Sequence, residues 1–415
     1  MRYALLDLIA CQSCHGPLTS VTIRERPSEM AQGLLPGASR VAPGDGVGPV
    51  PADVRQTPLA ALLGRHARTA TDPARNFTVE IEEGLLICAD CGRWYPIIGQ
   101  LPEILPDHLR NAERERTFLE AIAPAIPADL RAALHTSALP AGADDAGAHH
   151  KISEMTISSK IDDPGFFGPG YVSPFNPWNP EFTLYLIVLF GAVLKLLAIR
   201  KGECVLDSGC GYAWTTEWFH RAGIPAVGVD ISRTYLDIGI ERMGAGRPHL
   251  VVGDVEHLPL KTGAFDAVMA YESFHHIPNR PGAMASYDRI LNATGRVVLA
   301  EPGAAHEHAE VSVDVMKKYG ILERGMEIED VAAYAAGTSL GGLEQNFLAL
   351  GTQHDTGRPM DRAFLKERSI IEGNLFRLRK GGIASGMSQI GAPRRRLWPI
   401  AKRYIKRALL KLGLD

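Results

Sequence analysis

The pattern of apolar and polar positions after residue 203 alternates short buried strands with helical stretches. An apolar run at 204–206 predicts a strand, a glycine-dense turn follows at 207–213, and a helix is predicted over 214–222. A second strand, 226–229, ends on Asp230. Strand, glycine turn, helix, strand and acid in this order are typical of a βαβ unit in a nucleotide-binding sheet. We therefore expect an α/β fold with a Rossmann-like, doubly wound sheet.

The turn between the first strand and its helix carries the chemical signal. Gly209 and Gly211 allow positive φ angles and a close approach of the backbone to a ligand. Asp230 is placed to accept hydrogen bonds from ribose hydroxyls. A dinucleotide fingerprint requires a third glycine, but Trp214 stands there, and the acid Asp207 opens the turn. Both features argue against a pyrophosphate and for a cationic ligand. S-adenosylmethionine has a sulfonium, an ammonium and a ribose, and no phosphate.

The stretch VLDSGCGYAWTTEW at 205–218 resembles motif I of the class I S-adenosylmethionine-dependent methyltransferases. Four later blocks resemble the "type 11" group of these enzymes in order and spacing: VGVDIS, VVGDVEHLPL, FDAVMAYESFHHIP and RILNATGRVVLAEPG. The resemblance covers residues 175–305. It implies that Asp254 binds the adenine amino group, that the Val255 N–H donates to the ring, and that Ile231 and Tyr271 lie on the cofactor side. A Rossmann-like domain that binds another ligand is the alternative.

Methyl transfer to an oxygen usually needs a base, and three residues at the predicted carboxyl edge of the sheet are candidates: His275, His276 and Glu301. His306 and His308 follow nearby. We favour His275 or His276. The alternative is that the histidine pair is structural or serves the cofactor, since such a pair is frequent in this group among members with different acceptors.

Two CxxC pairs supply Cys11, Cys14, Cys88 and Cys91. In a long chain that begins without the pattern of a secretion signal, they indicate a metal rather than disulfides, and four thiolates suit a tetrahedral structural zinc ion. The segment 88–106 resembles the zinc-ribbon family that includes the activator of tRNA and release-factor methyltransferases. We predict a ribbon domain over 1–110, interrupted by a Pro-, Gly- and Ala-rich insertion at 27–75. The alternative is a ribbon fold without metal.

The remaining chain divides by composition. Residues 111–160 read as a helix and then a linker that includes His149 and His150, and 161–360 as the methyltransferase domain with a lid at 161–181 and an acceptor-side insertion from 306. The apolar run 182–199 is interpreted as a buried or half-buried helix rather than a membrane span. The two closing strands of the fold are not evident, apart from a candidate at 344–350. The tail, 361–415, contains a basic amphipathic helix that suits an anionic membrane surface, packing on the body, or RNA.

Composition adds little: a net charge of −3 gives no argument for nucleic acid. The leading hypothesis is a methyltransferase for a small-molecule, sugar or lipid-linked glycan acceptor, cytoplasmic and peripheral at the inner membrane face. The alternative is an RNA or translation-factor methyltransferase with its ribbon fused. AYESF stands where amide and amine methylators commonly place an Asn-Pro-Pro-Tyr motif, which disfavours that alternative. A non-enzymatic ribbon module is the third reading, opposed by the intact acids and glycines of the cofactor motifs.

Overall fold

The computed structural model of the chain describes residues 1–28, 78–136, 147–156, 173–177, 179–244, 247–347 and 374–381. Most of the insertion at 27–75, most of the lid at 161–181 and the basic amphipathic helix of the tail therefore lie outside the described residues. The predictions made for those segments stay predictions.

The N-terminal part is a small antiparallel sheet that carries the four cysteines. Its strands are β1 (Leu18–Pro27), β2 (Val79–Cys88), β3 (Trp94–Ile98) and β4 (Leu101–Ile104). Helices α1 (Ala112–Ile122) and α2 (Ala128–Thr136) follow it. Their apolar faces bury Phe118, Ile122 and Leu130 against residues of β2 and β3.

The second part is the predicted α/β sheet. Its strands are β5 (Val205–Ser208), β6 (Ala226–Asp230), β7 (His249–Gly253), β8 (Phe265–Tyr271), β9 (Leu291–Glu301), β10 (Leu340–Phe347) and β11 (Asn374–Lys380). They lie in the order β7-β6-β5-β8-β9-β11-β10, with β5 to β9 parallel and β11 antiparallel to both neighbours. The direction in which strands are added reverses between β5 and β8, so the carboxyl ends of these two strands border a ligand cleft. The predicted fold class is confirmed.

Strand β4 joins the two parts into one sheet. It pairs in parallel with β7, with Ile104 opposite Gly253. A second connection joins residues 8–10 of the N-terminal part to residues 259–261 of the second part. The Ala10 N–H donates to the Pro259 carbonyl at 2.9 Å, and the Lys261 N–H donates to the Leu8 carbonyl at 2.8 Å. One buried apolar cluster contains residues of both parts. The cysteine-bearing sheet is thus an extension of the methyltransferase-like sheet.

Seven helices among the described residues accompany this sheet: α3 (Ala148–Met155), α4 (Pro180–Leu197), α5 (Trp214–Arg221), α6 (Arg233–Met243), α7 (Arg280–Ile290), α8 (Glu310–Tyr319) and α9 (Ile328–Tyr334). Helix α4 buries Leu189, Phe190 and Val193 against the sheet and exposes Leu184 and Val188. This half-buried packing is what the apolar run predicts. By length and composition α4 is also the one candidate for a membrane span among the described residues, with 28% of it buried.

The structure differs from the predicted bounds of this domain at two places. The closing hairpin, which the sequence left in doubt apart from a candidate strand at 344–350, is present as β10 and β11. Strand β11 lies beyond residue 360, so the predicted tail begins inside the sheet. The linker prediction also fails at its end, because residues 148–155 form α3 and the His150 Nδ1 lies 2.7 Å from the Gly320 carbonyl oxygen.

Candidate functional site

The glycine turn after β5 has the backbone geometry that the sequence predicts. Gly209 has a φ of +67° and Gly211 a φ of +52°. A Cβ atom on Gly209 would lie 2.6 Å from the Cβ of Ser273, which follows β8. Only glycine fits at this position, because any side chain would be strained and would collide with the neighbouring loop. The turn and the loop after β8 are thereby held together at the carboxyl edge of the sheet.

Asp230, at the end of β6, fixes the same turn from the side. Its Oδ2 accepts the Gly211 N–H at 2.7 Å, and its Oδ1 accepts the Ser232 N–H at 2.8 Å. Burial raises the pKa of this carboxyl to about 6. Each carboxylate oxygen has a second lone pair. The remaining two lone pairs are what a pair of ribose hydroxyls would use.

Asp207 supports the turn from beneath rather than lining the cleft. It is 1% exposed, and its Oδ2 accepts the hydroxyls of Thr215 and Thr216 at 2.6 Å. Burial raises the pKa of Asp207 to about 6. Asp207 thus braces the start of α5, and its role towards a cationic ligand stays a prediction.

Asp254 directly follows β7 and is hydrogen-bonded by a residue that sequence reasoning missed. Its Oδ2 accepts a hydrogen bond from Lys151 Nζ at 2.9 Å, and Lys151 also bonds Glu256 at 2.5 Å. Lys151 lies on α3 and is 4% exposed. Helix α3 therefore reaches across the carboxyl edge of the sheet. Val255 begins the short turn that follows Asp254, and it is half-buried.

The other two cofactor residues implied by resemblance have different surroundings. Ile231 is half-buried beside Leu236 and Met243. Tyr271 faces away from the cleft: its hydroxyl donates to the Leu186 carbonyl of α4 at 2.7 Å, and its ring meets Phe190 edge-on. The Tyr271 side chain thus holds α4 to the sheet, and its cofactor role stays a prediction.

Glu301, at the end of β9, accepts hydrogen bonds from the main chain of the loop that follows β8. Its Oε1 accepts the N–H groups of Ser273 and Phe274 at 3.3 and 2.9 Å, and its Oε2 accepts the His275 N–H at 3.3 Å. His275 Nδ1 lies 2.7 Å from the same Oε2. Glu301 is fully buried. It orients the loop and the His275 ring, and its role as a base stays a prediction.

The two adjacent histidines are not equivalent. Burial lowers the pKa of His275 well below its usual value, so its ring is neutral. His276 is more accessible, and its Nδ1 lies 2.7 Å from the Leu322 carbonyl oxygen, to which it donates. Burial alone would lower the pKa of His276, but the carboxylates of Glu323 and Glu154 leave it raised.

Two acids next to the histidines were not singled out from the sequence. Glu272 has a left-handed φ of +50°, a strained conformation typical of functional sites. Burial and the neighbouring Glu301 raise its pKa to about 8. Glu323 is buried and lies 2.7 Å from His306 Nε2. Burial would raise the pKa of Glu323, but His276 and His306 hold it down to about 2. The only local signal for Glu272 was its place directly after β8.

The four cysteines meet as the sequence predicts. The sulfur of Cys11 lies 3.6 Å from that of Cys91, and the sulfur of Cys14 lies 3.4 Å from that of Cys88. All four sulfurs are within 4.8 Å of one another. These separations are far longer than a disulfide bond. A tetrahedral ion with bonds of about 2.3 Å to sulfur would set them at about 3.8 Å.

Comparison with known proteins agrees with this division of the chain. Residues 206–299 match a family model described as a methyltransferase domain, and residues 2–99 match one described as Trm112p-like protein. The chain thus contains a region similar to Trm112p-like proteins, followed by a region similar to methyltransferase domains. The glycine turn lies in the region that matches the methyltransferase domain, and the cysteine cluster lies in the Trm112p-like region.

Similar proteins include several methyltransferases. The chain is 28% identical over 180 residues to methyltransferase GfsG of Streptomyces halstedii, covering 42% of this chain and 64% of that protein. It is 33% identical over 113 residues to the demethylmenaquinone methyltransferase of Thermobifida fusca (strain YX), covering 26% of this chain and 48% of that protein. The match therefore spans less than two thirds of the length of either relative. A solved phosphoethanolamine N-methyltransferase 2 of Haemonchus contortus, in complex with S-adenosyl-L-methionine, is similar with a TM-score of 0.41 and 18% identity. That similarity covers 58% of this chain and 61% of that one.

Proposed function

We propose that this protein is an S-adenosylmethionine-dependent methyltransferase that acts on an oxygen of a small-molecule, sugar or lipid-linked acceptor. The observation that carries the proposal is the pairing of the Gly209–Gly211 turn with the Asp230 carboxylate, whose outward lone pairs suit ribose hydroxyls. The methyltransferase-domain match over the same residues supports it. The absence of a third glycine at Trp214 disfavours a pyrophosphate cofactor. When bound, S-adenosylmethionine supplies a methyl group whose bond to sulfur breaks with the electron pair kept by sulfur.

The acceptor class rests on the relatives and on the histidine beside the cleft. One relative is an O-methyltransferase of Penicillium expansum, 30% identical over 117 residues, or 26% of this chain and 42% of that protein. An oxygen nucleophile must lose a proton, and His276 is suited to take it. Its Nδ1–H donates to the Leu322 carbonyl, so its Nε2 carries the lone pair. Glu301 holds His275 in place, and the Leu322 carbonyl holds His276.

A variant series tests the base. His276→Ala is expected to lower methyl transfer about 100-fold or more, the usual contribution of a positioned base, and to leave the affinity for S-adenosylhomocysteine unchanged. His308→Ala is the matched control, because that side chain is 79% exposed and pairs only with Glu307 among the described residues. Equal loss in both variants, or none in His276→Ala, would remove His276 from the role.

The pH profile gives a second test of the same role. Glu154 lies 3.9 Å from His276 Nδ1 and contributes to its raised pKa. The base must be neutral, so activity rises with pH through that raised pKa. Glu154→Gln lowers the pKa of His276, and the rising limb of the profile should move to lower pH. An unmoved limb would show that another group controls it.

The cysteine cluster holds, in this proposal, a structural zinc ion. Four thiolates with the observed separations fill a tetrahedral site and leave no open position for a substrate. The ion would tie the N-terminal segment to the end of β2, two stretches that are far apart in sequence.

The second candidate is an RNA or translation-factor methyltransferase. The Trm112p-like match over residues 2–99 is the observation that favours it, because that part is continuous with the methyltransferase sheet through β4. Sensitivity of the labelled product to ribonuclease or protease distinguishes the two candidates.

A further inference from the structure

Three side chains from three separate segments meet beside His276. His275 follows β8, His306 follows β9, and Glu323 lies between α8 and α9. One ligand atom from each lies within 4.8 Å of the other two. His306 Nε2 is 2.7 Å and His275 Nε2 is 3.5 Å from the same oxygen, Glu323 Oε2.

The hydrogen bonds of His275 determine which of its nitrogens is available. Both oxygens of Glu301 already accept main-chain N–H groups, so the 2.7 Å contact is a donation from His275 Nδ1–H. In the neutral ring, Nε2 then carries a lone pair, and this lone pair faces Glu323 Oε2 at 3.5 Å. Two acceptors that face each other without a proton between them are unfavourable unless a cation lies between them.

The carboxyl group of Glu272 also indicates that a cation is required here. Glu272 Oε1 is buried and has no hydrogen-bond partner among the described residues. The charges of Glu301, His276, His306 and Glu323 all act on this carboxyl, so it lies near the cluster without being one of its three ligands. A cation in the cluster would compensate this acid as well as the facing lone pairs.

We infer that His275 Nε2, His306 Nε2 and Glu323 form a binding site for a divalent transition metal ion such as Zn²⁺ or Fe²⁺. Two imidazoles and one carboxylate are a ligand set that such ions prefer, and it leaves coordination positions open. Glu301 is the outer carboxylate that fixes the tautomer of His275, a common arrangement for metal-bound histidine. Bonds of about 2.0–2.1 Å set ligand atoms about 3.3 Å apart in a tetrahedral site. The 3.5 Å separation of His275 and Glu323 already fits. His306 must lose its hydrogen bond to Glu323 and move by roughly half an ångström.

The site deepens the function proposed above and rests on it for the identity of the bound acceptor. The rings of His275 and His276 have centroids 3.9 Å apart, so the metal site adjoins the proposed base. An open position there would receive a hydroxyl or carbonyl oxygen of the acceptor. The acceptor class is thereby narrowed to molecules with an oxygen that can act as a metal ligand.

Counting metal ions tests the inference on the full-length chain. The protein is equilibrated with excess Zn²⁺, freed of unbound ion by gel filtration, and its zinc is measured per chain by mass spectrometry. With the cysteine site filled, the wild type and His308→Ala should hold two ions, and His306→Ala and Glu323→Gln should each hold one. Thermal unfolding of each variant verifies folding, and having two variants keeps the test decisive if one does not fold.

Equal zinc content in all four proteins, whether one or two ions, would overturn the site. The affinity for S-adenosylhomocysteine is measured in the same samples and should be equal in all of them. A wild-type protein that does not bind S-adenosylhomocysteine would contradict the proposed function. The zinc count would still test the metal site independently.

Discussion

Replacement of Asp230 by Asn is the sharpest perturbation of the cofactor site. In the native structure both carboxylate oxygens accept main-chain N–H groups, from Gly211 at 2.7 Å and from Ser232 at 2.8 Å. An Asn side chain has one oxygen and one NH₂ group. Whichever way the amide turns, one main-chain N–H faces another donor and loses its partner, and the charge that ribose hydroxyls would meet is gone.

The magnitude follows from these bonds. A hydrogen bond to a charged group contributes about 1.5–3 kcal/mol, and about 1.4 kcal/mol corresponds to a tenfold change in affinity. Because the Gly211 bond shapes the turn, we expect Asp230→Asn to bind S-adenosylhomocysteine about 10- to 100-fold more weakly. Isothermal titration calorimetry measures this directly. Asp237→Asn is the control, since that side chain is 51% exposed on α6 and, within the part of the chain that the structure describes, pairs only with Arg233.

Unchanged affinity in Asp230→Asn would refute the reasoning. Equal weakening in the control variant would do so as well. Thermal unfolding of both proteins separates a local effect on the turn from a loss of folded protein.

Three further predictions concern pH, packing and metal. Burial raises the pKa of Asp230 to about 6, and ribose hydroxyls donate to the ionised carboxylate. The affinity for S-adenosylhomocysteine should therefore fall as the pH drops below about 6. An affinity that calorimetry finds constant from about pH 5 to 7.5 would contradict this. Tyr271→Phe removes the hydrogen bond to the Leu186 carbonyl and should lower the free energy of unfolding in urea by about 1 kcal/mol. The affinity for S-adenosylhomocysteine should not change; weaker binding would instead support the cofactor role of Tyr271. Cys14→Ser should lose one zinc ion per chain and melt at a lower temperature, whereas Cys204→Ser, outside the cluster, should keep the ion; retained zinc in Cys14→Ser would count against the site.

The features that the sequence predicted correctly have local signals. Gly209 and Gly211 stand where only glycine fits, and Asp230 ends a strand that its own apolar run marks. The two CxxC pairs carry their ligand spacing with them, so the long segment between them did not hide the cluster. In each case the signal lies within one short stretch: the glycine turn, the end of one strand, or a single CxxC pair.

The features that the sequence did not predict depend on distant partners. Strand β11 pairs with β9, far earlier in the chain, and its alternation of Phe376 and Leu378 with Arg377 and Arg379 covers only a few residues. Nothing near Lys151 indicates that it meets Asp254. The packing of Tyr271 beneath α4, by contrast, could have been predicted. Side chains alternate across a strand, and its strand neighbours Ala267 and Met269 lie in the same apolar cluster beneath α4.

The central claim is methyl transfer from S-adenosylmethionine to a small acceptor. The most direct measurement uses S-adenosylmethionine with a tritiated methyl group, the full-length protein and a cell extract, followed by separation into organic-soluble, polysaccharide, RNA, protein and small-molecule fractions. The account predicts label in the organic-soluble, polysaccharide or small-molecule fraction, retained after ribonuclease and protease treatment and lost in the Asp230→Asn variant. Label that ribonuclease or protease removes would contradict it in favour of the macromolecular alternative, and failure of the wild type to bind S-adenosylhomocysteine would contradict the cofactor itself.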